Sequence, residues 1–129
     1  MNIYQFATTL KTKFETFFSG QNQSVEVKIF PDSIIASGSS LYCYISIESI
    51  NQKMISSMDS FCRYKIILTL ASKQSLNIFV SSYSDLIENL FDFIMSTFFT
   101  QETKISELFY DDQTSTSICT FEFEVGEQL

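Results

Sequence analysis

The residues that most often do chemistry in proteins are scarce here or badly spaced. Histidine is absent. That removes the commonest general base and metal ligand, and no Ser-His-Asp or Cys-His arrangement can form within one chain. The cysteines, Cys43, Cys62 and Cys119, are odd in number and show no CxxC spacing. They read as buried, reduced thiols acting as small hydrophobes, as suits a reducing compartment. Gly20, Gly38 and Gly126 are isolated, so no glycine-rich phosphate loop exists. No metal or other cofactor is expected, and the chain does not read as an enzyme.

Carboxylates are the remaining candidates. Asp111 and Asp112 are adjacent and point apart in an extended segment. Glu122 and Glu124 fall on one face of a strand, roughly 7 Å apart by strand geometry. Two such groups can do acid–base work or hold a cation. The plainer expectation is a solvated edge strand whose charges discourage wrong pairing. Arg63 is the single arginine. Its planar guanidinium suits an interface anchor, and it equally suits an ordinary exposed strand position. Tyr42 and Tyr44 can stack on a partner chain or cover the second face of a sheet.

The formal net charge is −7, from 8 basic and 15 acidic residues. Tight binding to nucleic acid or to an anionic membrane needs clustered Lys and Arg, so neither is expected. DNA passing by without being gripped is compatible with this charge. The opening MNIYQFATTLKTK lacks the basic and apolar regions of a secretory signal, and no stretch is long and apolar enough to span a membrane.

These residues must be positioned by one domain, since 129 residues leave no room for two ordinary ones. Ile3, Phe6, Ala7, Leu10, Phe14, Phe17 and Phe18 mark an amphipathic helix over 2–19, with Asn2 as its cap and Gly20 at the left-handed position after it. Val25, Val27 and Ile29 alternate in a strand ending near Pro31; Ile34 and Ile35 continue it or begin another. Gly38–Ser40 mark a turn. Leu41, Cys43, Ile45 and Ile47 alternate with Tyr42 and Tyr44 in the next strand. Residues 51–60 read as a loop, and Lys53, Met54, Met58 and Asp59 within it are candidate contact residues. Tyr64, Ile66, Leu68 and Leu70 define the strongest strand, with Cys62 on the same face. Ser82 and Asp85 resemble a capping box, which predicts a second helix over 81–99. Ile105, Leu108 and Phe109, then Cys119, Phe121, Phe123 and Val125, give two more strands. The order α-β-β-β-α-β-β fits an α+β domain with two helices on a mostly antiparallel sheet.

The whole-chain pattern resembles the tail terminator, or tail completion, proteins of tailed bacteriophages. The resemblance runs through the opening helix Ile3-Tyr4-Gln5-Phe6-Ala7 and the strand Arg63-Tyr64-Lys65-Ile66-Ile67-Leu68-Thr69-Leu70. It continues in the helix Asp85-Leu86-Ile87-Glu88-Asn89-Leu90-Phe91 and the closing strand Thr120-Phe121-Glu122-Phe123-Glu124-Val125. It is one of order and pattern, without an invariant motif. It implies a structural virion protein, assembled in the host cytoplasm, that forms a ring, usually a hexamer. Such a ring ends the tail tube, joins it to the head and neck, and contacts tail-tube and head-completion proteins. The 51–60 segment falls where that family carries a long hairpin excursion. The alternative is a small acidic binding module like the secretion chaperones, which dimerises and holds a client protein.

Overall fold

The computed structural model describes residues 3–32, 34, 41–54, 60–98 and 103–126, with side chains at all of these except 49–54 and 60–63. Two helices lie on one face of a five-stranded sheet, in the order α-β-β-β-α-β-β expected of this α+β domain. Helix α1 spans Ile3–Gly20, and strand β1 spans Val25–Ile29. Strands β2 (Leu41–Met54) and β3 (Ser60–Ser72) form a long hairpin. Helix α2 (Leu76–Phe98) precedes β4 (Lys104–Asp111) and β5 (Thr116–Gly126). The strand order is β1-β2-β3-β5-β4. Every pairing is antiparallel except that of β1 with β2, which is parallel.

The apolar stripes bury largely as their spacing predicts, although Ile3 at the start of the first is exposed. Phe6, Leu10, Phe14 and Phe18 of α1 meet Phe79, Leu86, Leu90 and Ile94 of α2 over Leu41, Cys43, Ile45, Tyr64, Ile66, Leu68 and Leu70 of the hairpin. Phe121, Phe123 and Val125 of β5 complete this core. Phe14 lies where both helices and β5 converge. Its ring centroid is 5.7 Å from Phe93, 5.8 Å from Phe98 and 6.4 Å from Phe123. Phe has no polar atom to satisfy, so such a junction closes by shape and area alone. Asn89 Nδ2 donates to Gln21 Oε1 at 2.9 Å and ties α2 to the end of α1.

Three local features depart from the sequence reading. First, α1 does not end through a left-handed Gly20. Asn22 takes that conformation (φ 55°), the Gln23 N–H donates to the Phe18 carbonyl, and the Asn22 N–H donates to that of Ser19. This is the Schellman arrangement, and Asn tolerates its left-handed position almost as Gly does. The expected cap at Asn2 lies outside the described residues.

Second, α2 begins at Leu76, not at residue 81. Ser75 is the cap. Its Oγ accepts from the Ile78 N–H at 3.4 Å, and its carbonyl accepts from the Phe79 N–H at 2.9 Å. Ser82 is exposed inside the helix. The Ser82/Asp85 spacing imitates a box, whereas Ser75 works without an acidic partner. Ser75→Ala is therefore expected to lower stability by about 1 kcal/mol. Ser82→Ala is expected to leave the urea midpoint unchanged, and equal effects of the two changes would refute the assignment.

Third, the ladder of the β2–β3 hairpin runs well into the supposed loop. Asn51 pairs with Arg63, Gln52 with Cys62, Lys53 with Phe61 and Met54 with Ser60. Neighbouring strands end earlier: β1 stops opposite Ile45, and β5 stops opposite Arg63. Among the described residues, the hairpin thus runs three residue pairs, about 10 Å, past its pairing with β5. The residues of this arm, Asn51-Gln52-Lys53-Met54 and Ser60-Phe61-Cys62-Arg63, show no apolar alternation that announces a strand. Residues 35–40 and 55–59 lie outside the described residues, with the expected turn at 38–40. Ile34 is not in a strand and packs on the second face of the sheet.

Candidate interface surfaces

The second face of the sheet, turned away from the helices, divides into an apolar end and a charged end. At the apolar end, Tyr42, Tyr44, Ala71 and Ile118 bury one another with Ile34 against them. The two tyrosine rings stack 6.0 Å apart at 7°. Lys28 Nζ stands 5.7 Å from the centre of the Tyr42 ring, a cation–π position. Tyr42 and Tyr44 are 8% and 3% exposed, so they cover the second face of their own sheet. This burial disfavours their use as a stacking surface for a partner chain.

At the charged end, four side chains form a chain of ion pairs across four strands. Lys104 on β4 and Lys65 on β3 each approach Glu122 on β5 at 3.3 Å, one at each carboxylate oxygen. Lys65 also lies 3.8 Å from Glu48 on β2. A recess of about 410 Å³ opens here, lined by Lys65, Thr103, Lys104, Glu122, Phe123 and Glu124. Burial of the Glu122 carboxyl raises its pKa. Hydrogen bonds from Lys65 and Lys104 and their charges lower it by more, so the group is held below the usual carboxylate range.

This corrects the reading of Glu122 as a solvated edge residue. Strand β5 is internal, paired with β3 on one side and β4 on the other, and only 17% of the Glu122 side chain is exposed. A carboxylate held by two ammonium groups is poorly placed to abstract a proton or to take a cation. Among the described residues, no group of three or more potential metal-ligating side chains comes together.

The edge on this side of the sheet is β4. Lys104 through Tyr110 are all exposed, on both faces. They include Ile105, Leu108, Phe109 and Tyr110, each 38–47% exposed. A bulge at Ser106 interrupts the pairing with β5, and Ser106 Oγ and Thr120 Oγ1 lie 2.6 Å apart. Ile105, Leu108 and Phe109 signalled this strand in the sequence. Nothing in that pattern showed that it closes the sheet on one side.

Other candidates fall elsewhere. Arg63 pairs through its backbone with Asn51 and Gly126 at the root of the arm. Lys53 and Met54 lie in β2 along the arm. The side chains of these three are outside the described set, as are Met58 and Asp59 entirely. Glu124 is exposed on β5 opposite Lys65. Cys43 and Cys119 are buried free thiols in the core. Burial alone raises both, that of Cys119 to about 11, so neither is a reactive thiolate near neutral pH. Among the described residues, no helix is long and apolar enough to cross a membrane.

The fold and these surfaces define a small α+β domain with a mixed five-stranded sheet, an exposed edge strand and a projecting hairpin arm. No protein-family model matches the chain, and no curated protein matches its sequence.

Proposed function

We propose that this chain is a structural virion protein of the tail terminator kind. Copies of it assemble as a homo-oligomeric ring, a hexamer in the first instance, on the last ring of a tail tube and join the tail to the head and neck. The observation that carries this reading is β4, an edge strand exposed along its length with large apolar side chains on both faces. Solvent-exposed apolar edges are a liability for a monomer and a resource for an assembly.

Two further features support it. The β2–β3 arm projects at the point where the resemblance expects a hairpin excursion, so it is available to reach a neighbouring copy or a tail-tube or head-completion protein. The net charge of −7 suits a lumen that lets DNA pass without holding it. On this reading the protein works in the virion after assembly in the host cytoplasm, and its activity is contact rather than catalysis.

Native mass spectrometry of the purified chain, with electron microscopy of the chain added to tail tubes lacking their heads, tests the proposal. A hexamer, or a ring that forms at the tube end, is the expected result. A stable dimer that retains an unfolded client would replace this reading with the chaperone one. A monomer that ignores tube ends would overturn it.

A further inference from the structure

We infer that the ring is joined edge to edge, with β4 of one copy pairing antiparallel to β1 of the next. This rests on the self-assembly part of the reading above and specifies its contact.

Strand directions come first. β1 and β2 run together, and each later step across the sheet, β2 to β3 to β5 to β4, is antiparallel. The two outer strands of the sheet therefore run in opposite directions. Two copies set side by side in the same orientation bring β4 of one against β1 of the other as an antiparallel pair. Each copy then uses one edge to give and the other to receive, the head-to-tail contact that generates rings when the rotation closes.

The residue rows come next. One row crosses the sheet from Lys28 on β1 through Tyr44, Thr69 and Thr120 to Glu107 on β4. Its two ends carry opposite charges. The adjacent row runs from Val27 through Cys43, Leu70 and Cys119 to Leu108, and its ends are both apolar. Continuing each row into the next copy sets Glu107 opposite Lys28, Leu108 opposite Val27, and Tyr110 opposite Val25. Faces agree as well: Val27 belongs to the core beneath the helices, and Leu108 lies opposite core Cys119. Lys28 stands over Tyr42 on the second face, and Glu107 lies opposite Thr120 on that face. Opposite charges and apolar pairs directly across an antiparallel ladder stabilise it.

A two-fold pairing of β4 with itself fits less well. The register that uses all of the regular stretch 107–111 sets Glu107 against Asp111 twice, and like charges directly opposite are destabilising. The bulge at Ser106 prevents a longer match.

Cysteine cross-linking tests the pairing. Within one copy β1 and β4 are separated by four strand spacings, about 19 Å, too far for a disulfide. A link between positions 28 and 107 therefore has to join two copies. In a Cys62→Ser background, Lys28→Cys combined with Glu107→Cys is expected to give, on mild oxidation with tail tubes present, a ladder of covalent dimers, trimers and higher species. The control, Lys28→Cys with Tyr110→Cys, places its thiols on opposite faces and is expected to remain monomeric under denaturing electrophoresis. If the unsubstituted chain forms rings while the 28/107 pair links no more than the control, edge pairing is overturned and the ring stands. If the unsubstituted chain does not assemble with tail tubes present, the self-assembly reading fails with it.

Discussion

Phe14→Ala is expected to cost about 3–5 kcal/mol of stability. A domain of this size has only about 5–15 kcal/mol in total, so the loss is a large share of it. Phe14 is fully buried and its ring meets Phe93 and Phe98 of α2 and Phe123 of β5. Truncation removes contacts to both helices and the sheet at once. The neighbouring aromatic rings are stiff and already held by one another, so the cavity can collapse only in part. Tyr4→Ala, at an exposed position on the same helix, is the control and should shift stability by less than about 0.5 kcal/mol. Urea denaturation followed by circular dichroism reads both. A loss below about 1 kcal/mol for Phe14→Ala would mean that this junction does not hold the helices to the sheet.

The second large effect is expected at Glu122. Glu122→Lys removes two ion pairs and sets three ammonium groups together, and should destabilise by about 2 kcal/mol at neutral pH and low salt. That figure is modest because Lys65 and Lys104 are 37% and 70% exposed and water screens them. The milder Glu122→Gln reads the titration alone. The folded-state pKa of Glu122 lies below its unfolded value, so the carboxylate contributes stability that is fully present above about pH 4.3. That contribution is lost as pH falls through the lower folded-state value. The Gln variant should therefore be less stable than the parent at neutral pH, and the gap should close in acid. A gap that persists unchanged to low pH would point to packing rather than charge.

The charged chain also shows where reading a sequence stops. Alternation along β5 placed Glu122 and Glu124 on one face, and that was correct. It could not supply their neighbours, because Lys65 and Lys104 meet Glu122, and Glu48 meets Lys65, from three other strands brought together only by the strand order. The same limit made β5 look like an edge. Burial was easier to read. The alternating Tyr64, Ile66, Leu68 and Leu70, and the stripe Phe6, Leu10, Phe14 and Phe18, enter the core because a period of two or of 3.6 specifies a face directly.

Termini and pairing partners were harder to read. Ser75 caps α2 without a box, and Asn22 does the work expected of glycine. The parallel partnership of β1 and β2 leaves no mark in either strand's pattern. It follows from the course of the chain between them, of which only residues 30–32 and 34 are described.

The position of β3 has a consequence for how the chain reaches this state. Among the described residues, all pairing between the part of the sheet that precedes α2 and the part that follows it runs along one ladder, Arg63–Ser72 against Ser117–Gly126. The hairpin on its other side closes locally and quickly, on the order of microseconds. The ladder to β5 must wait for a segment containing a helix and another strand to loop back, and that closure costs entropy before any contact repays it. Folding speed should thus be governed by the β3–β5 seam.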